Sequence, residues 1–229
     1  MNLEQFTALI RGNLIVSCQA GPDHPLRDSA TIARLARAAV LGGAPAVRCG
    51  GVGGIDDVRA VADAVPVPVI GLTKRGTSGV FITPTVDDAV RVLESGATVV
   101  AADGTRRPRP DGATLSDTAD AVHAAGGLLM ADVATLADGV AAAEAGADLI
   151  ATTLSGYTPD SPQQAGPDLA LVAALAAELP SARIVAEGRY HHPEQVRAAL
   201  DAGATAVVVG TAITDPVWIT RSFVAATQH

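Results

Sequence analysis

The chain has 229 residues, 48% hydrophobic and 3% aromatic, and carries a net charge of −8 from 16 basic and 24 acidic side chains. That length and apolar content suit one large α/β domain with a sizeable core. The acidic balance and scarcity of aromatics argue against a general nucleic-acid binder, a single-strand stacking platform or a protein of anionic membranes, while leaving room for a small anion in a locally basic pocket.

In chain order, an amphipathic opening from Leu3 to Ile10 precedes a regular alternation of strand and helix patterns. Strands are predicted over Leu14–Gln19, Ala46–Cys49, Pro68–Lys74, Thr98–Asp103, Leu128–Val133, Leu149–Ser155, Arg183–Glu187 and Ala206–Val209. Between them fall helices over Asp28–Leu41, Ile55–Val65, Val86–Ser95, Leu115–Ala125, Leu136–Ala145 and Asp168–Leu179, with a further helical interval before the last strand. Pro216–Ala226 is predicted to close the chain as a helix, and Val80–Thr83 to add a small strand. The strands are nearly unbroken Val/Ile/Leu/Ala runs, as expected when a parallel sheet is buried on both faces. Ser95-Gly96-Ala97, Ala145-Gly146-Ala147 and Ala202-Gly203-Ala204 each place a glycine where a helix must stop. About eight repeats without a dinucleotide fingerprint or a linker favour closure. The expectation is a single TIM (β/α)8 barrel spanning residues 1–229, with a short N-terminal helix.

Cys18 and Cys49 are the only cysteines and form no CxxC pair, so they read as buried small hydrophobes. Residues 2–13 contain Glu4 and Arg11 and no apolar signal region. No apolar run approaches the roughly 20 residues of a membrane span. A protein of the reducing cytoplasm is expected.

In such barrels catalytic side chains sit at the C-terminal strand ends. Here Gln19, Arg48, Lys74, Asp103, Asp132, Ser155 and Glu187 fall at those predicted ends and would converge on one mouth. Lys74, desolvated beside other cations, could lose its proton and act as a base or form an imine. A buried Glu187 would rise toward neutrality and suit proton transfer; the alternative is an ion-pair partner for an arginine. Arg48 could clamp a substrate oxygen or serve only in an ion pair, and Asp132 could orient Lys74 or bind hydroxyls. The basic loop Thr105–Gly112 reads equally as a solvated or interface loop and as a mouth loop drawing in an anion. The adjacent His191 and His192 make a poor ligand set, and His24, His123 and His229 are scattered, so no metal site is expected. The last two strands end in Gly-containing turns. At Gly210-Thr211 a bare backbone could donate N–H groups to a phosphate.

Several segments also carry a family resemblance. Ser17-Cys18-Gln19-Ala20, Thr73-Lys74-Arg75, Val80–Thr85, Arg107–Gly112, Leu129–Asp132, Thr152–Thr158, Ala186–Arg189 and Val208–Thr214 occur in one family's order. Together they resemble the bacterial N-acetylmannosamine-6-phosphate 2-epimerases over nearly the whole chain. The resemblance implies a TIM barrel that interconverts N-acetyl-D-mannosamine 6-phosphate and N-acetyl-D-glucosamine 6-phosphate in sialic acid and amino-sugar catabolism, with neither metal nor cofactor. It assigns Lys74 and Glu187 to proton transfer. It places Gln19, Arg48, Asp132, Ser155, Gly156 and Tyr157 around a phosphorylated N-acylhexosamine, and Gly188, Arg189, Gly210 and Thr211 at its phosphate. The chain departs from the family pattern at Cys49-Gly50-Gly51 and Val133-Ala134. Two other readings use the same residues: a lyase forming an imine on Lys74, and a phosphosugar-binding protein without turnover. The closing helix with Trp218 is a candidate homodimer interface.

Overall fold

The computed structural model describes residues 1–227. Its eight strands are β1 (Leu14–Cys18), β2 (Val47–Cys49), β3 (Val69–Gly71), β4 (Val99–Asp103), β5 (Leu128–Asp132), β6 (Leu149–Ala151), β7 (Arg183–Glu187) and β8 (Ala206–Val209). All pair in parallel in sequence order, and β8 closes onto β1 with Val207 opposite Leu14 and Val209 opposite Val16. The helices are α1 (Leu3–Ile10), α2 (Ser29–Leu41), α3 (Gly54–Ala64), α4 (Val86–Glu94), α5 (Leu115–Ala124), α6 (Leu136–Glu144), α7 (Leu169–Glu178), α8 (Pro193–Asp201), α9 (Thr211–Thr214) and α10 (Pro216–Ala225). This is the expected (β/α)8 barrel with its N-terminal helix.

Alternation along each strand sorts the apolar residues into two layers. Ile15, Ile70, Ala101, Met130, Val185 and Val208 share the barrel interior. Val16, Val100, Ala131, Ile184 and Val207 pack outward beneath the helices. Phe6 and Ile10 of α1 are fully buried in the interior cluster. The Gly12 N–H just beyond α1 donates to the Thr205 carbonyl ahead of β8 at 2.8 Å. Helix α1 therefore stoppers the N-terminal end of the barrel and leaves the other end to the site.

Helix starts follow the sequence closely. Asp28, Thr85, Thr114, Thr135, Asp168 and Asp215 each accept a backbone N–H three residues ahead. Each such cap is worth about 1 kcal/mol. At the helix stops, Gly146 and Gly203 take the left-handed conformation at φ +93 and +102°, which a side chain would strain.

Two strands end three or more residues earlier than predicted. β3 stops at Gly71, and the expected small strand Val80–Thr83 is reduced to one antiparallel bridge between Lys74 and Ile82. There the chain folds back on itself: Arg75 N–H donates to the Phe81 carbonyl at 3.0 Å and Thr83 N–H to the Thr73 carbonyl at 2.9 Å. β6 stops at Ala151 and curls into a 3-10 turn over Thr152–Leu154. Thr152 Oγ1 donates to the Glu187 carbonyl at 2.9 Å and accepts from the Glu187 N–H at 3.0 Å. A side chain thus replaces the strand ladder and frees the β6 backbone to turn.

Cys18 and Cys49 lie opposite each other on β1 and β2, both buried. Burial pushes the Cys18 thiol up to about 12 and raises Cys49 likewise, as inert small hydrophobes require.

Candidate active site

The alternation that fills the interior also aims the polar side chains. Ser17, Lys74, Asp132 and Glu187 each follow by two an inward-facing apolar residue: Ile15, Leu72, Met130 and Val185. At the C-terminal mouth Ser17, Lys74 and Glu187 meet a cavity of about 340 Å³. Ser17, Gln19, Lys74, Thr153 and Glu187 line its lower wall, while Tyr157, Gly188, Arg189, His191, Gly210 and Thr211 line the rest.

Under the cavity lies a charged floor. Arg48, 1% exposed, donates from Nη2 to Asp132 Oδ2 at 2.7 Å and from Nη1 to Asp132 Oδ1 at 3.0 Å. The same Nη1 reaches Glu187 Oε2 at 2.9 Å. Thr153 Oγ1 sits 2.7 Å from Asp132 Oδ1 and 3.1 Å from Glu187 Oε2. Burial works against the Arg48 cation, but Asp132 and Glu187 outweigh it and keep the guanidinium protonated. Arg48 and Asp132 do not border the cavity; they lie under it as its floor. Both Nη atoms of Arg48 are engaged by carboxyls, and Asp132 is fully buried beneath Thr153.

Lys74 and Glu187 differ from that floor in opening onto the cavity. Burial pushes the Glu187 carboxyl up to about 7; Arg48 opposes the rise and Asp132 adds to it. Desolvation by the cavity walls lowers Lys74 from the ordinary lysine value, with Arg48 reinforcing the fall and Glu187 and Asp132 opposing it. The Lys74 side chain nonetheless stays accessible from the mouth, and it forms no ion pair with a described carboxylate. An amine and a carboxyl whose charged forms are both disfavoured can exchange protons with a substrate between them.

The upper wall is cationic and rich in free donors. Arg189 adopts φ +58°, uncommon for a residue with a side chain. Its Nε donates to the Gly166 carbonyl at 2.8 Å and its Nη1 to the Ser155 carbonyl at 2.5 Å. Its guanidinium carbon lies 5.3 Å from the centre of the Tyr157 ring. A Cβ on Gly156 would meet Arg189 Nη1 at 2.5 Å, so this approach needs glycine. The backbone N–H groups of Arg189, Gly210 and Thr211 find no acceptor among the described residues. Two bare turns and a fixed guanidinium make a fitting seat for a dianion.

Ser155 and Gly156 lie off the cavity. The 3-10 turn after β6 reverses Ser155, whose Oγ donates to Asp168 at 2.6 Å, and the Gly156 N–H donates to Ser161 Oγ at 2.8 Å. Asp103 and the basic loop are tied to each other instead of to the mouth. Arg107 pairs with Asp103 at 2.7 Å, Arg106 with Asp138 at 3.4 Å, and buried Arg109 donates to the carbonyls of Asp103 and Thr83. The loop is thus tied down as a structural strap, with the Arg106 side chain exposed.

Thr153 and Ser17 also line the cavity, as does His191, which the sequence suggests only as a poor metal ligand. The only sequence signal for Thr153 is its period-two spacing from Leu149 and Ala151, which the Ser155 reading carried one step too far. His191 stacks on Trp218 with ring centres 4.5 Å apart. His229 lies outside the described residues. Among those residues no three His, Cys, Asp or Glu side chains gather as a metal-binding group, and no helix is long and apolar enough to cross a membrane.

Residues 32–229 match a family profile described as "Putative N-acetylmannosamine-6-phosphate epimerase". The chain is 49% identical over 216 residues to a Corynebacterium glutamicum protein carrying that name as a 2-epimerase, covering 94% of this chain and 93% of the relative. A Cutibacterium acnes protein of the same name is 49% identical over 222 residues, 96% of each chain. The solved structure of the N-acetylmannosamine-6-phosphate 2-epimerase from Clostridium perfringens superposes with a TM-score of 0.91 at 40% identity, again over 96% of each chain.

Proposed function

The chain belongs to the N-acetylmannosamine-6-phosphate epimerase family, and from that premise we infer that it is an isomerase interconverting N-acetyl-D-mannosamine 6-phosphate and N-acetyl-D-glucosamine 6-phosphate. The two sugars differ only at C2, and the family serves sialic acid and amino-sugar catabolism. In the open-chain aldehyde the C2 hydrogen is α to a carbonyl, so its removal leaves an enolate that a nearby cation stabilises.

In our reading Lys74 removes that proton, and Glu187 moves a proton on the sugar oxygens or at the opposite face. The observation that carries the reading is that this amine and this carboxyl, 113 positions apart in sequence (187 − 74), line one cavity. Arg48 and Asp132 act from below by holding Glu187. Gln19 and Tyr157 face the sugar. Gly188, Arg189, Gly210 and Thr211 take the phosphate, whose binding keeps C2 in register with the two proton carriers.

The test is proton NMR of the purified protein with N-acetylmannosamine 6-phosphate in deuterium oxide. The wild type introduces deuterium at C2. Lys74→Met slows that wash-in about 100- to 10,000-fold while the sugar phosphate still binds. Undiminished wash-in by the variant removes Lys74 from the role of base.

We further propose that residues 1–229 act as one barrel domain, that the enzyme works in the cytoplasm, and that two copies pair through α10. No residue of α10 is buried, and Phe223 and Val224 are 73% and 47% exposed.

A further inference from the structure

Just past the β7 turn, His191 sets an imidazole into the cavity wall that also carries Arg189, Gly210 and Thr211. Its backbone is pinned where its N–H donates to Gln195 Oε1 at 2.7 Å. Its ring lies against Trp218 of α10, with centres 4.5 Å apart and planes tilted by 35°. That contact occupies a face of the imidazole and leaves its nitrogens, which sit on the edge, unspent. Neither finds a hydrogen-bond partner among the described residues. In either neutral tautomer one of them is a donor, so this wall carries one N–H beyond those of the turns.

The charges around the ring are mixed. Arg189 and His192 come from its own segment, Lys74 and Glu187 from the lower wall, and Asp215 from the cap of α10. Asp215 is already engaged: its Oδ1 lies 3.2 Å from His24 Nε2 and accepts the Trp218 N–H at 2.9 Å. His24 Nδ1 accepts the Leu26 N–H at 3.1 Å, so its proton sits on Nε2 and is donated to Asp215. Burial first, then His192 and Arg189, hold the His191 imidazole below the usual histidine value. At neutral pH it is uncharged until an anion arrives.

We propose that His191 is a further substrate-binding residue, its ring N–H donated to the phosphate of the sugar, and that the ring takes up a proton when the dianion is seated. The inference rests on the epimerase reading of this cavity and adds to it one residue and one proton. Two negative charges within hydrogen-bond reach favour the imidazolium by about one pH unit or more. The Trp218 ring beside it also favours a cation and sets the angle at which the imidazole meets the phosphate. The proton comes from solvent, and an N–H bond is the only bond formed. Below the pKa of the free ring His191 is charged with or without sugar. Between the free and bound values binding takes up a proton, and the help His191 gives falls as pH rises through the bound value.

Proton NMR of the histidine rings tests this, with the His191 resonance identified by its loss in His191→Phe, which keeps an aromatic ring against Trp218. In the wild type its titration midpoint should lie below the usual histidine value. Saturating N-acetylglucosamine 6-phosphate should raise it by about one pH unit or more, and the unphosphorylated sugar should leave it in place. The second phosphate proton itself leaves near pH ~6, so the ring and not the affinity is the readout. A midpoint unmoved by the phosphorylated sugar overturns the proposal, as does an equal rise with the unphosphorylated one. His191→Phe should also raise KM about 10-fold with a smaller effect on kcat, and an unchanged KM counts equally against it. Should that variant fail to fold, His191→Asn identifies the resonance and the midpoint still decides. Deuterium wash-in at C2 by the wild type separates the two levels. Wash-in with an unmoved midpoint sinks the His191 inference alone, whereas absence of wash-in counts against the epimerase reading whatever the ring does.

Discussion

Arg48 commits both Nη nitrogens to carboxyl oxygens under the cavity, and that changes what it can do. A guanidinium so engaged offers the substrate no fork, but it fixes the position and charge of Glu187. The activity should therefore follow the protonation of the Lys74–Glu187 pair. The kcat profile is expected to be bell-shaped with one limb near pH 7, and Glu187→Gln, besides slowing turnover, should abolish that limb while leaving the one due to Lys74. Steady-state rates across pH decide the matter; a neutral limb that survives in the glutamine variant belongs to another group. At this scale Lys74 and Glu187 were legible as polar residues at predicted strand ends. The burial of Arg48 and Asp132 was not. Nothing along the chain says that residues 84 positions apart meet beneath the cavity. Thr153 escaped for a related reason: its contacts to Asp132 and Glu187 join residues 21 and 34 positions apart, which only the closed barrel brings together.

Helices announced themselves more clearly than strand ends. Asp28, Thr85, Thr114 and Thr135 cap where a capping residue precedes an apolar period, and Gly146 and Gly203 stop where no side chain fits. β3 and β6 ended early because non-strand partners competed for their backbones: the fold-back at Lys74–Ile82 in one case, the Thr152 hydroxyl in the other. The misplaced end of β6 is what put Ser155 wrongly at the mouth. Helix α1, read as an amphipathic opening, proves to be part of the core. Its Phe6 is fully buried among Ile15, Val99 and Leu128 in the interior cluster. Phe6→Ala should accordingly destabilise the fold by about 3–5 kcal/mol, read as a lower urea midpoint. A loss below about 1 kcal/mol would mean the barrel holds without its stopper.

At the scale of the molecule, the βα rhythm and the absence of a linker were enough to read a closed barrel, since parallel strands buried on both faces have few other arrangements. Assembly was not legible beyond the apolar character of the last helix. With Phe223 exposed on α10, Phe223→Asp should convert a pair of chains into single ones in sedimentation velocity. Equal sedimentation of variant and wild type would remove α10 from the interface. The stopper has a further consequence for traffic. Phe6 and Ile10 seal one end of the cylinder, so arrivals and departures share a single doorway. Both epimers carry the same phosphate and seek the same seat. Neither sugar can be favoured by its route, and each waits for the other to vacate. The direction of net flow is then left to whichever sugar is more abundant outside relative to their equilibrium ratio, and a cell steers this step by what it supplies and removes.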